Sequence, residues 1–572
     1  MDISPGSSIS HALQACRACK QGKRRCDKRL PECSLCQRTG RKCNYADPPA
    51  SSDPVAELAA MRARLDDLEE RIAIASNHSL DDNPTYPSTL SSHNGLDQFD
   101  TETSTWDNIG SYRLSSTASF PRKRFPTALF LDIDCFILSG MQYSMPSISM
   151  PMEVLAILTE GDVVIETSRE YFNTIHSWMP IISKKRMDLG IPAQNPGPDL
   201  AMLFLSMKLI TTPVHTVQVD SLYRLAKGFL TDLECHGVVS LLCLQATVLV
   251  ALYEYSHAIY PGASMTIGVC TRYAELLGIS CRGNDMQCLG QSTTWTEVEE
   301  KRRVWWAIFI LDRLISMGNR RPCSLSGPSL EAKLPVDDEI WDSGNYSHAR
   351  ISTISASYQM SQSPFARLCQ AATYLDRALS LVQANVPIGS NIVKITALAE
   401  EVRHFCITVD SPTGTYQDAT FIALLSARCV ARSALFVLLD KYTCPEQLRE
   451  EPGYVISAKA KMETELEMQT YAANIVQQVS MDVSMLADEI SAVTNLDIES
   501  RLSPFVTHVV YCTIATFHWY SGENGSEEYQ INADKLDAFL GKINLRWRLA
   551  GEYHALGKHW KVSERARGVS QQ

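Results

Sequence analysis

From Phe125 to about Trp560, apolar residues recur at spacings of three and four, and no stretch alternates apolar and polar residues regularly enough for a strand. The pattern predicts a mostly α-helical body over residues 125–560. Ser240 is placed to cap a helix over Leu241–Tyr255, inside the most apolar run, Val238–Tyr253. A second helix is predicted over Thr296–Met317, with Thr296 and Glu299 at capping-box spacing. Its stripe is Val304, Ile308, Leu311 and Ile315, widened by Trp305 and Phe309. No repeat of fixed period appears. So long a body exceeds one comfortable core, which predicts two helical lobes. The run Val238–Tyr253 is short for a membrane span, holds Gln245 and Thr247 and runs into Glu254, so it reads as a buried core helix and no membrane segment is expected.

Upstream the pattern changes. Leu58, Met61, Leu65, Leu68 and Ile72 form an a/d seam over residues 53–76, started by Asp53 as cap and Pro54 at the first helical position. In a parallel pair Glu57 would face Arg62, and Arg64 would face Glu69, which predicts a coiled-coil homodimer. Residues 77–124 are rich in Ser, Thr, Asn and Asp and read as a disordered linker. Asp97, Phe99, Asp100, Glu102, Trp106 and Asp107 give that linker an acidic–aromatic patch of the kind found in activation segments. Residues 1–15 read as a disordered leader, 44–52 as a short linker holding Pro48 and Pro49, and 561–572 as a tail.

Residues 16–43 have almost no apolar content, so something other than a core must fold them. They hold six cysteines in two matching halves, Cys16, Cys19 and Cys26, then Cys33, Cys36 and Cys43. Each half is C-x-x-C, six residues, C. Thiolates at this spacing suit zinc. Six thiolates serve two ions with four ligands each only if two sulfurs bridge, and Cys16 and Cys33 occupy matching first positions. A disulfide framework would need a secretory route, and Met1–Ser8 has no apolar core. A thioredoxin-like redox pair would need a βαβ pattern, which is absent. The other twelve of the 18 cysteines are scattered singly through apolar segments and read as reduced core residues.

Charge sharpens the picture. His11–Tyr45 holds ten Lys or Arg against Asp27 and Glu32, a surplus of eight, so with the chain at −11 the remainder carries −19. A basic head on an acidic body suits a head that binds a polyanion. Lys23-Arg24-Arg25 and Arg122-Lys123-Arg124 are candidate nuclear import signals. Nothing in the body matches G-x-S-x-G, H-E-x-x-H, a P-loop or G-x-G-x-x-G, and no enzyme is expected. Glu299 and Glu300 read as helix-face carboxylates paired with Arg303, Asp312 and Arg313 as structural ion pairs, and His176 as a core histidine.

The six-cysteine stretch resembles the fungal binuclear zinc cluster family of DNA-binding domains. The resemblance implies two zinc ions bridged by Cys16 and Cys33, with Cys19 and Cys26 completing one tetrahedron and Cys36 and Cys43 the other. Pro31 stands where that family often has a cis proline. The resemblance also implies that Lys23 approaches guanine O6 and N7 of a CGG triplet in double-stranded DNA, with Arg24 beside it and Lys20 and Arg25 on phosphates. Gly22 departs from the basic residue many members carry there. Paired triplets read by a dimer follow, at a modest spacing given the short linker.

The body resembles the fungal-specific transcription factor domain over roughly residues 125–345. The matching stretches are Tyr171-Phe172, His176–Ile181, Leu244-Gln245-Ala246, Leu252–Tyr255, Glu299–Trp306 and Leu311-Asp312-Arg313, with Arg321-Pro322 and Leu334-Pro335 after them. The combination implies a nuclear, zinc-dependent transcription regulator of RNA polymerase II genes that engages the transcription machinery. Activator is the family default, and the general look is that of regulators of secondary-metabolite gene clusters. A second reading makes the body a sensor for a small-molecule effector, in a pocket lined by Cys243, Tyr253, Tyr255 and Trp305.

Overall fold

The computed structural model describes residues 12, 15–21, 24–45, 125–146, 148–190, 197–216, 218–280, 289, 292, 294–318, 322–355, 362–383, 388–410, 419–443, 458–492 and 498–569. The chain divides into two compact units, Met1–Leu114 and Ser115–Gln572. The heptad seam, the linker over 77–124 and most of the predicted leader and 44–52 linker lie outside the described residues.

Two short helices make the described part of the first unit, α1 (Arg17–Gln21) and α2 (Ser34–Thr39). The second unit is helical as its patterning predicts. It begins with α3 (Ala128–Leu131), α4 (Ile133–Leu138), α5 (Met152–Leu158), α6 (Val163–Asn173), α7 (Lys184–Asp188), α8 (Pro198–Thr211) and α9 (Val219–Cys235). The chain then runs through α10 (Leu241–Ser256), α11 (Gly262–Leu276), α12 (Trp295–Ser316), α13 (Asp338–Ser343), α14 (Pro364–Gln383) and α15 (Ile388–Asp410). It closes with α16 (Ala419–Thr443), α17 (Ala458–Ala492), α18 (Ile498–Arg501), α19 (Val506–Asn524), α20 (Glu527–Ile543) and α21 (Arg548–Val569). An isolated antiparallel bridge joins Lys333 to Thr353.

Helix α10 is apolar on every side, so it must be surrounded. Every residue from Cys243 to Ser256 is buried, and α8, α11 and α12 pack on it. Its start follows the predicted cap, with Ser240 Oγ accepting from the Cys243 N–H at 3.1 Å. α16 plays the same part later in the chain, packed by α14, α15, α17 and α19. Its stretch Phe421–Thr443 is long and apolar enough to cross a membrane, yet 78% of that window is buried inside the body. It is a core helix.

Three expectations need correction. The body has one core, not two lobes. A single apolar cluster runs from Val154 to Ala550, because α12 packs on both α10 and α14, and α21 returns to α10. The apolar faces of the two helix groups are therefore continuous. The cap of α12 is also displaced, since Thr294 Oγ1, not Thr296, accepts from the Glu297 N–H at 3.2 Å.

Thr296 cannot recruit Glu299 because that carboxylate works in the core. Glu299 accepts from Arg303 Nε at 3.0 Å and from the Val336 N–H at 2.9 Å. Arg303, fully buried, also donates to Asp338 at 2.7 Å and to the Val336 carbonyl at 2.7 Å, with its guanidinium 4.1 Å over Trp341. Glu300 does not pair with Arg303. It takes the Ser183 N–H, Gln245 Nε2 and Arg186 Nη1 at 2.9, 3.0 and 2.5 Å. One turn of α12 thus ties α7, α10 and the 333–338 segment together. Asp312 and Arg313 are the ion pair the sequence predicts, and Arg313 adds Asp376 of α14 at 2.8 Å. His176 is buried, with Nε2 3.0 Å from Asp342.

Candidate metal centre and nucleic-acid interface

The two halves of the cysteine stretch fold alike. Lys20 N donates to Cys16 O at 3.0 Å, and Gln37 N donates to Cys33 O at 3.0 Å. Arg24 N donates to Cys19 O at 2.9 Å, and Arg41 N to Cys36 O at 3.1 Å. Each half is one short helix followed by a turn, with the first two cysteines a helical turn apart and so on one side. α2 stops at Gly40, whose φ of 60° is the left-handed cap that glycine adopts without strain. The Leu30–Pro31 peptide is cis, as the resemblance implies.

This duplication puts the sulfurs together. Cys16, Cys19, Cys26 and Cys33 form one group whose sulfurs all lie within 4.8 Å of one another, and Cys16, Cys33, Cys36 and Cys43 form a second. Cys16 and Cys33 belong to both. Sγ of Cys16 lies 3.7 Å from that of Cys33 and 3.6 Å from that of Cys36. Sγ of Cys19 lies 3.6 Å from Cys33 and 3.9 Å from Cys36. Four thiolates about 2.3 Å from a tetrahedral zinc stand about 3.8 Å apart, so the donor set and spacing fit that ion. Burial pushes the Cys33 thiol up, but the Cys36 N–H and the Cys36, Cys19 and Cys16 thiols outweigh it and bring it down to about 6. The Cys36 thiol is pushed up, by burial first and then by the Cys33, Cys16, Cys19 and Cys43 thiols. Thiols this close share their protons, and they all become thiolates only when a cation replaces those protons.

Two supporting residues have no spacing rule that would reveal them. Asp27 accepts from the Ser34 N–H at 3.1 Å and from the Ser34 hydroxyl, joining the end of the first half to the start of α2. The Ser34 hydroxyl, above all, holds the Asp27 carboxyl below its usual range. Tyr45 donates to the Arg29 carbonyl at 2.8 Å and sits 4.0 Å from Cys26 Sγ, closing the far end of the stretch.

Among the predicted DNA-binding residues, Lys20, Arg24 and Arg25 are exposed. Arg38, Arg41 and Lys42 in the second half are exposed too. Cations therefore stand outward from both halves while the sulfurs turn inward. Gly22 and Lys23 lie outside the described residues, as do Leu58, Met61, Leu65, Leu68 and Ile72. Of the residues named for an effector pocket, Cys243 reaches a cavity wall. Tyr253, Tyr255 and Trp305 are buried in the apolar core and are not among that cavity's lining.

Comparison with known proteins gives two family matches. Residues 14–52 match the fungal Zn(2)-Cys(6) binuclear cluster domain, and residues 169–393 match the fungal specific transcription factor domain. The chain is similar to Transcription factor BOA15 of Botryotinia fuckeliana, 36% identical over 180 residues, which is 31% of this chain and 98% of that relative. It is 25% identical over 377 residues to the depudecin biosynthesis cluster-specific transcription activator DEP6 of Fusarium langsethiae, covering 56% of this chain and 59% of that protein. It is 26% identical over 351 residues to the citrinin biosynthesis transcriptional activator mrl3 of Monascus ruber, covering 58% and 65%. The chain thus spans less than two thirds of the length of those two activators. No solved structure matches. The matched families and relatives are transcription factors, not enzymes.

Proposed function

The chain belongs to the fungal family that joins a binuclear zinc cluster to a fungal-specific transcription factor domain, and we propose that this zinc-binding transcription regulator reads paired CGG-type half-sites as a homodimer. The observation that carries this reading is the pair of four-cysteine groups sharing Cys16 and Cys33 beneath outward-facing cations. Cys16, Cys19, Cys26 and Cys33 would hold one zinc ion, and Cys16, Cys33, Cys36 and Cys43 would hold the other. Two zinc ions, when bound, supply the cross-links that a segment without an apolar core needs to fold.

Recognition then divides by residue. Lys20 and Arg25 bind phosphates and fix the register of α1, with Arg24 beside them. Lys23 reads guanine O6 and N7. The seam from Leu58 to Ile72 sets two heads side by side. The protein acts in the nucleus on RNA polymerase II genes, as an activator of a secondary-metabolite cluster. Its similarity to the depudecin and citrinin cluster activators supports that last step.

Lys23→Ala tests the reading head. It is expected to weaken binding to a CGG site by about 1–3 kcal/mol while leaving binding to unrelated DNA nearly unchanged. Competition gel shifts with matched and scrambled duplexes measure both, and a surviving preference for CGG removes Lys23 from its role.

A further inference from the structure

A cavity of about 1510 Å³ opens in the body between α9, α10, α11 and the strap formed by α3 and α4. It exceeds the several hundred Å³ that a drug-sized ligand fills. From its position and lining we propose that it binds a neutral, mostly apolar small molecule carrying a carbonyl or hydroxyl oxygen.

The floor is fixed. Tyr143 donates its hydroxyl proton to the Gly237 carbonyl at 2.9 Å and accepts from the Val239 N–H at 2.7 Å. Tyr273 likewise donates to the Val238 carbonyl at 3.2 Å and accepts from the Ser240 N–H at 3.0 Å. Two phenols thus pin the 237–240 loop, so the cavity is preformed rather than a gap between loose segments.

The walls are apolar, and the described residues leave part of them uncovered. Phe125, Leu129, Phe130 and Ile133 line one side, and Leu230, Met265 and Val269 line others. Phe130 is 71% exposed and Met265 is 68% exposed. Large apolar side chains left to water around one cavity mark a binding site.

The polar groups fix the charge of the occupant. Lys227 Nζ donates to Thr266 Oγ1 at 2.7 Å and pairs with Glu254 Oε1 at 2.9 Å. Glu254 is fully buried and also accepts from Tyr223 at 2.7 Å. The lysine of the lining is therefore already balanced. Arg272, at the mouth, pairs with Glu275 at 2.9 Å. Glu234 is the remaining acid of the lining. Among the described lining residues an anionic ligand finds no unmatched positive charge. A neutral oxygen can still accept from the third proton of Lys227, whereas the Thr231 hydroxyl already donates to the Lys227 carbonyl at 3.0 Å.

Nile red, a neutral apolar dye with one carbonyl, is the probe, used with the full-length zinc-loaded protein. Its fluorescence is expected to shift to the blue and to saturate at micromolar dye, with the protein's thermal midpoint rising as dye is added. Val269→Trp and Met265→Trp, one turn apart on α11, are each expected to weaken binding about tenfold or more by filling the mouth. Both sites are partly exposed, so at least one variant is expected to keep the wild-type circular dichroism and melting. Ile531→Trp on α20, outside the cavity, is expected to bind normally. Anilinonaphthalene sulfonate, apolar but anionic, is expected to bind at least about tenfold more weakly than Nile red. Saturable binding that both folded α11 variants retain overturns the site. An anionic probe binding more tightly than the neutral one overturns the ligand class, and no saturable Nile red binding overturns the proposal outright.

Discussion

Cys33 is the residue on which most of the head depends. Its sulfur belongs to both cysteine groups, and its backbone starts α2. Cys33→Ser and Cys16→Ser are expected to lower bound zinc from about two ions per chain to below one, whereas Cys19→Ser removes about one. Atomic absorption on purified protein measures this, and equal losses in all three variants would show that no sulfur is shared. The body has its own sensitive residues. Burial, aided by Arg548 and Arg546, pushes His257 down to about 3, and burial alone pushes His508 to about 4. An unfolded histidine titrates near about 6.5, so below that pH the unfolded chain binds the proton that the folded one refuses. Stability is therefore full above about 6.5 and falls as the solution is acidified toward these values, by up to about 1.4 kcal/mol per pH unit for each histidine. His257→Gln is expected to flatten urea-derived stability between pH 6 and 4 by that amount. An unchanged slope removes His257 from the account. At this scale the cysteines were legible because chemistry fixed both their type and spacing. Asp27, Tyr45 and the Glu300–Arg186 pair were not, since each joins positions that no local period relates.

Among the elements, α10 could be read from its cap and its all-round apolarity, and it lies where they place it. The start of α12 was ambiguous for a physical reason. Thr294 with Glu297 and Thr296 with Glu299 both have capping-box spacing. Only burial decides, because Glu299 is committed to Arg303 and Val336. α16 falls in the predicted helical body but is not singled out by the sequence, where Arg428 and Arg432 interrupt its apolar run; both pair with Asp410 of α15. The cost of breaking these two kinds of feature differs. Ser240→Ala removes one cap and is expected to cost about 1 kcal/mol. Glu299→Gln takes one of two carboxylates from a buried guanidinium that keeps Asp338, and is expected to cost about 2–3 kcal/mol. Chemical denaturation compares them, and similar losses would mean that the α12 network is not what ties the body together.

The whole molecule sets a compact basic head against an acidic body, and the division was visible in charge alone before any helix was placed. What charge and length did not disclose is that the body has one core. That depends on α12 and α21 each packing against distant helices, contacts that no local pattern encodes. The body's cavity was not legible either. Its walls come from segments more than a hundred residues apart, and three of the four aromatic and cysteine positions expected to line a pocket belong to the core instead.

The central claim is that the cysteine-built head, loaded with zinc, selects a DNA sequence. Site selection from random duplexes with the full-length protein tests it most directly, with zinc content measured on the same sample. The expected result is enrichment of paired CGG triplets at one fixed spacing, abolished by a chelator and restored by zinc. No enrichment from protein shown to hold two zinc ions per chain would contradict it.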